Sequence, residues 1–206
     1  MNFNPDELFL KDEGFEHRKV KPLSEKELHA NNITLTVKKL LELKIGEKSE
    51  LTNEQKKVVE QLAGWICGEG KPQSGILILG SVGSGKTTVM QAFIRYYNWL
   101  YNKVIKEYHS KVLPMEYKTK GIDYFYKRPI FIDDLGKESA STVEYGQRYD
   151  TWGDLFAVRY ELKSLTFATA NYKLDGQFKE IYGEVITDRM KEHFNIFELV
   201  GESLRK

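Results

Sequence analysis

With 206 residues, 41% of them hydrophobic, the chain can bury one good core and carry a small appendage beside it. Its 31 basic and 30 acidic residues nearly cancel, so global charge advertises no nucleic-acid partner and any basic surface must be local. A single cysteine, Cys67, excludes an internal disulfide, and no stretch approaches the roughly 18 apolar residues of a membrane span, so a soluble cytoplasmic protein is expected. Residues 1–48 are charged and weakly patterned. Within them Ser24-x-x-Glu27 has the form of a capping box, and Val37, Leu40, Leu41 and Lys44 share a helical face. This segment reads as an N-terminal extension whose apolar face meets either a partner or the chain's own core. Thr52-x-x-Gln55 is a second capping box, and Val58, Val59, Leu62 and Ile66 continue at helical spacing until Gly68 and Gly70, so the main domain is placed at 49–206. Cys67 ends an apolar run and reads as a buried structural thiol.

A buried strand is expected at Gly75-Ile76-Leu77-Ile78-Leu79, followed by a helix from near Lys86 to about Asn102 with Val89, Phe93, Ile94, Tyr97 and Leu100 on one face. Val112-Leu113 reads as the opening of a second strand, at an edge or interrupted because of Pro114. Ile130-Phe131-Ile132 is a short apolar run ending in Asp133-Asp134. A helix is expected over Val143–Glu161, then a strand over Leu165–Ala170 with Asn171 behind it, a helix over Ile181–Met190 and a last strand over Phe194–Val200. Strands alternating with helices imply an α/β fold with a parallel sheet covered on both faces.

Between the first strand and its helix lie Gly80, Ser81, Val82, Gly83, Ser84, Gly85, Lys86 and Thr87, followed by Thr88. This is a P-loop in its required setting: glycines let backbone N–H groups turn inward around phosphate, Lys86 meets the β/γ-phosphates, and the Thr87 hydroxyl ligates Mg²⁺. A nucleoside triphosphate is the implied ligand. In an open parallel sheet the carboxyl ends of the strands line the ligand crevice, which brings Asp133 toward Mg²⁺ and Asp134 toward an attacking water. Asp134 reaches one methylene less far than a glutamate, so slow hydrolysis is expected. The Asn171 amide either approaches the γ-phosphate or the water from the side opposite Asp134, or is only a turn former. Arg189, taken alone, reads as an ordinary surface residue.

Gly80-Ser-Val-Gly-Ser-Gly-Lys-Thr87, Ile132-Asp-Asp-Leu-Gly136, Thr169-Ala-Asn171, Asp188-Arg-Met190 and Gly201-Glu-Ser-Leu-Arg205 stand in the order seen in bacterial helicase loaders. Over roughly residues 52–206 the chain resembles the DnaC/DnaI type of AAA+ ATPase and its relative IstB. The resemblance implies a three-layer αβα AAA+ domain that binds ATP and Mg²⁺, assembles on single-stranded DNA and delivers a ring helicase of the DnaB type. It also implies that Asn171 is the polar sensor and Arg189 the arginine finger, acting in trans through self-association. Two departures stand out: Ala170 replaces a common serine, and the 35 residues after Asn171 are too few for the helical lid many AAA+ proteins carry, as in the loaders. Arg159 is expected to approach a subunit boundary; it and Arg205 have no assigned role.

Between Tyr96 and Arg128, Lys103, Lys106, Lys111, Lys118, Lys120, Lys127 and Arg128 face only three acids. Tyr96, Tyr97, Trp99, Tyr101, Tyr108, Tyr117, Tyr124, Phe125 and Tyr126 interleave with them, a pattern that suits unpaired bases unless half or more of the rings, Tyr97 first, are core. Two rival readings keep the P-loop: a transposition ATPase of the IstB kind, and a small-molecule kinase. The second lacks an arginine-rich lid near Asp133.

Overall fold

Both capping boxes form. The Ser24 hydroxyl accepts the Glu27 N–H at the start of α1 (Glu25–Ile45), and the Glu27 carboxylate accepts the Ser24 N–H. Thr52 and Gln55 repeat the arrangement at α2 (Asn53–Ile66). The computed structural model describes residues 24–71, 75–121, 123–137, 142–144, 147–149, 151–171 and 174–201. The chain divides into two compact units, Met1–Gly70 with Gln91–Val104, and Lys71–Met90 with Ile105–Lys206. Helix α3 (Lys86–Tyr101) contributes its first turn to the second unit and the rest to the first.

In the first unit, α1 packs against α2, burying Ile33, Val37, Leu40 and Leu41 on one side and Val58, Val59 and Leu62 on the other. Tyr96 is the buried tyrosine of α3 here, whereas Tyr97, expected in the core, is half-buried against Trp65 and Phe93. The reason is polar: the Tyr96 hydroxyl lies 2.6 Å from His29 Nδ1 and accepts from Asn32 Nδ2, so its buried oxygen is satisfied. Cys67 is exposed, not buried, because the helix ends there and its backbone turns as the C-cap.

The second unit holds a five-stranded parallel sheet, β1 (Gly75–Gly80), β2 (Lys106–His109), β3 (Ile130–Leu135), β6 (Thr166–Ala170) and β7 (Phe194–Leu199), in the order β2-β3-β6-β1-β7. Strand β1 lies between β6 and β7, and Ile76, Leu77 and Ile78 are fully buried, each stabilising the sheet by about 1.5–3 kcal/mol. At Gly80 a Cβ would stand 2.0 Å from the Leu199 carbonyl oxygen, so only glycine permits β7 to come this close where the loop begins.

Two expected elements are displaced. The second strand is Lys106–His109; Val112 precedes α4 (Leu113–Lys120), and Pro114 sits in its first turn, where a missing N–H costs no helical hydrogen bond. Only Tyr108 of this edge strand is buried, which leaves no apolar run to read. Helix α5 (Asp123–Tyr126) follows. The expected helix over Val143–Glu161 is α6 (Thr151–Glu161) alone; before it, β4 (Thr142–Glu144) and β5 (Gln147–Tyr149) pair antiparallel. Thr142, Val143 and Tyr149 favour extended backbone. A π-helical turn (Leu174–Phe178) leads into α7 (Lys179–His193), which kinks at Gly183.

Arg159 of α6, expected near a subunit boundary, is instead 1% exposed, and burial pulls its pKa down to about 10. It donates to the carbonyls of Phe125, Tyr126, Arg128 and Leu165 and to the Thr166 hydroxyl, and so ties the end of α5 to the start of β6. His193 lies beside this cluster, its Nε2 3.1 Å from the Ser164 carbonyl oxygen. Burial and the Arg159 charge push its pKa down to about 4. The unfolded chain protonates His193 near its ordinary pKa of about 6.5 and the folded chain does not, so this stability is present above pH 6.5 and lost as pH falls toward 4. Allowing for partial screening by solvent, about 2 kcal/mol is expected to go in that window. Denaturant unfolding at a series of pH values checks it: His193→Gln should flatten that part of the acid slope.

Candidate nucleotide-binding site

The chain leaves β1 at Gly80 and re-enters a helix at Lys86 through a turn in which Gly83 and Gly85 take φ of +84° and +91°. A side chain at either would strain that turn, and the turn is what aims backbone N–H groups at a common centre by the α3 N-terminus. The Ser84 hydroxyl donates to the Ser81 carbonyl at 2.9 Å, and the Ser81 hydroxyl donates to the Gly201 carbonyl at 2.6 Å. Lys86, 4% exposed, donates from Nζ to the Ser81 carbonyl at 2.6 Å, so its ammonium is held within the loop it serves.

Asp133 stands at the carboxyl end of β3. The Thr87 hydroxyl donates to its Oδ1 at 2.8 Å, and the Thr169 hydroxyl of β6 donates to the same oxygen at 2.6 Å. Thr169 Oγ1 also accepts the Asp134 N–H at 3.1 Å. Thr169 was named from the sequence only as the head of the Thr169-Ala-Asn171 motif, without a role of its own. Its one signal is its place, two residues before Asn171 on the strand that neighbours β3. Between Ile132 and Leu135 the register with β6 slips by one residue, and Asp134 sits in this bulge with φ +58°. The bulge lets two consecutive carboxylates serve one site, where regular alternation would send them to opposite faces.

Asp134 is a junction. Its Oδ1 accepts from Asn171 Nδ2 at 3.2 Å and its Oδ2 from Lys137 Nζ at 2.7 Å, with His109 Nε2 3.7 Å away. The Ser110 hydroxyl donates to its carbonyl at 2.7 Å. Burial works to raise the Asp134 pKa, but Lys137 above all, then His109 and Asn171, outweigh it and hold the carboxyl below its ordinary range. Asn171 was expected opposite Asp134; it is bonded to it. His109, Ser110 and Lys137 were missed, the first two because the strand that delivers them was misplaced.

Thr87 and Asp133 offer a hydroxyl and a carboxylate that already converge, hard oxygen donors that suit Mg²⁺, an ion that uses one or two protein ligands and takes the rest from phosphate and water. Among the described residues no cluster of three or more His, Cys, Asp or Glu could hold a metal ion. Thr88 is buried beside them in the first turn of α3. Arg189 is apart from this group: on α7 its guanidinium is 3.9 Å from Glu161 and 5.6 Å from the centre of the Tyr160 ring. Of the terminal Gly201-Glu-Ser-Leu-Arg205, Gly201 is described and Arg205 lies beyond the described residues.

Of the nine rings between Tyr96 and Tyr126, Tyr96, Tyr108, Tyr117 and Phe125 are core. The Arg128 guanidinium lies 4.4 Å from the centre of the Tyr124 ring, and Lys120 also caps that ring. Lys103, Lys106 and Lys111 are exposed.

No known family profile matches the sequence, and no curated protein does. Solved structures do match. A DnaC helicase loader aligns with a TM-score of 0.57 at 18% identity, over 72% of this chain and 91% of that one. DnaI aligns at 0.56 and 20% identity, over 73% and 88%. The fold is that of an AAA+ P-loop domain. The replication initiator DnaA bound to AMPPCP and single-stranded DNA shares this AAA+ fold at 0.51 and 17% identity, over 74% of this chain and 48% of that one. Among the described residues no helix is long and apolar enough to cross a membrane.

Proposed function

We propose that this protein is an AAA+ ATPase of the helicase-loader kind, cytoplasmic, which binds Mg·ATP, assembles on single-stranded DNA and delivers a ring helicase. The observation that carries the nucleotide reading is the convergence of Thr87, Asp133 and Thr169 beside a buried Lys86. Gly80 to Thr88 cradle the phosphates, Thr87 and Asp133 hold Mg²⁺, which neutralises charge on the triphosphate, and Asp134 orients the attacking water. Asn171 holds Asp134. The likeness to DnaC, DnaI and the DNA-bound DnaA supports the loader reading. Residues 1–48 form the partner-docking segment, residues 49–206 the ATPase, and Arg189 completes a neighbouring subunit's site.

A short carboxylate clamped by Lys137 suits low turnover until a partner or DNA rearranges it. ATP turnover is therefore expected to be slow alone and stimulated by single-stranded DNA, with Lys86→Ala abolishing nucleotide binding as well as turnover. Replacing Lys103, Lys106 and Lys111 by alanine should weaken single-strand binding and reduce the log–log salt slope by about 2, roughly 0.7 for each phosphate no longer neutralised. Filter binding across a salt series measures this. Undiminished binding would remove the DNA from this surface, and failure to bind Mg·ATP would sink the whole reading.

A further inference from the structure

We infer that Tyr160 is a positioning residue that aims Arg189, an inference resting on the proposal that Arg189 acts on a neighbouring subunit's nucleotide. Arg189, Glu192 and His193 stand at i, i+3 and i+4 on one side of α7, and all three meet the same ring of α6. The Arg189 guanidinium lies over the face of Tyr160, 5.6 Å from its centre; the Tyr160 hydroxyl donates to Glu192; and the His193 ring packs 6.4 Å from it at 60°. Among the described residues, the other contact of Arg189 is Glu161, at 3.9 Å and two-thirds exposed. That ion pair is long and solvated, too weak to fix a flexible side chain alone. An aromatic face offers a cation a broad, weakly directional seat. It limits where the guanidinium travels without capping all its donors, which must stay available for phosphate.

The ring in turn packs against the buried His193, and its hydroxyl bond to the exposed Glu192 adds little to that hold. A guanidinium held at one end of its reach and donating at the other is what transfer of charge to a second subunit's phosphate needs, and small displacements of such a group are costly to rate.

The test uses full-length protein in mixed assemblies. One subunit carries Lys86→Ala and supplies Arg189; the other carries Arg189→Ala and supplies the nucleotide site. Tyr160→Leu, which keeps bulk but loses the ring face, is placed on one subunit or the other. On the Arg189-supplying subunit it should lower kcat about 10²-fold with KM for ATP little changed. On the nucleotide-holding subunit, whose own seat is unused, the loss should be absent. Tyr160→Phe, which keeps the face and gives up the bond to Glu192, should restore turnover.

Equal loss from both placements would mark a folding defect and overturn the inference, as would full activity of Tyr160→Leu on the supplying subunit. If Tyr160→Phe fails as badly as Tyr160→Leu, the hydroxyl bond and not the face is what counts, and the inference falls. Binding of a fluorescent ATP analogue and thermal melting, measured on the same proteins, should not move. If the unmodified pair of mutants recovers no activity, the reading of Arg189 in trans fails first, which is a separate result.

Discussion

Subunits carrying Arg189→Ala, mixed with subunits carrying Lys86→Ala, are expected to hydrolyse ATP far faster than either does alone. Each mutant assembly lacks one half of the site. In the mixture, an intact Lys86 on one subunit meets an intact Arg189 on its neighbour at about one interface in four, if the contact is head-to-tail and mixing is random. The structure motivates this division. Thr87, Asp133, Thr169, Asp134 and Asn171 are linked by direct hydrogen bonds, with Lys86 adjacent in the chain and bonded to the Ser81 carbonyl, whereas among the described residues the contacts of Arg189 are with Tyr160 and Glu161 on α6. A phosphoryl-transfer site without a guanidinium loses the group that meets charge developing on the transferred phosphate. Such an arginine is worth about 10³ to 10⁵ in rate, or roughly 4 to 7 kcal/mol of transition-state stabilisation. Arg189→Ala alone should therefore bind ATP normally and turn it over at least about 10³-fold more slowly. Equilibrium binding separates it from Lys86→Ala, which should not bind. A dilute monomer of Arg189→Ala that matches the parent rate would end the proposal that sites are shared.

Much of the site was legible because its residues obey local rules. A strand with four consecutive apolar residues followed by a glycine-rich turn and Lys-Thr has few other meanings, and Asp133-Asp134 closes a strand whose apolar run is plain. What was not legible depends on register. The bulge at Asp134 comes from the pairing of β3 with β6, and nothing within Ile130–Leu135 announces it. Thr169 looks like any β-branched strand residue until β3 is set beside it. Strand β2 was misplaced because Lys106 and Glu107 face solvent at an edge and only Tyr108 turns inward, so His109 and Ser110 went unseen with it. Helix α6 was drawn too long because a pair of three-residue strands is shorter than any periodic signal. The aromatic stretch misled in the opposite direction. Tyr96 and Tyr97 are indistinguishable by spacing to within one residue, and only the polar groups of His29 and Asn32 on α1 decide which of them goes inside.

Arg159→Met is expected to be among the most destabilising single changes, and by a route that composition hides. A buried guanidinium normally has a carboxylate partner, because removing a charge from water is costly without one. Among the described residues the hydrogen-bond partners of Arg159 are four backbone carbonyls and the Thr166 hydroxyl. The carbonyls belong to the end of α5, the turn at Arg128 and the residue before β6; Leu165 also accepts the Ile130 N–H at 3.4 Å and Tyr126 the Ser164 hydroxyl, so Phe125 and Arg128 lean most on the guanidinium. A planar fork with five donors meets several oxygens at once. Lysine, with one ammonium centre, cannot, so Arg159→Lys should rescue little. Methionine fills the volume but strands the Phe125 and Arg128 carbonyls in a dry interior, at about 1–3 kcal/mol for each buried acceptor left unpaired, while Leu165 and Tyr126 keep a second donor. Relief of the guanidinium's desolvation, which already pulls its pKa down to about 10, offsets part of that. The net loss should be about 3–5 kcal/mol, a large share of the roughly 5–15 kcal/mol that holds a domain together. Urea unfolding should show it as a lower midpoint at unchanged slope. The rival expectation, an arginine at a subunit boundary, predicts the reverse pattern: melting unchanged and turnover lost only in the assembled state. Because the side chain is 1% exposed and its donors point inward at named carbonyls, stability is the quantity that should fall, and any loss of turnover should track the fraction unfolded.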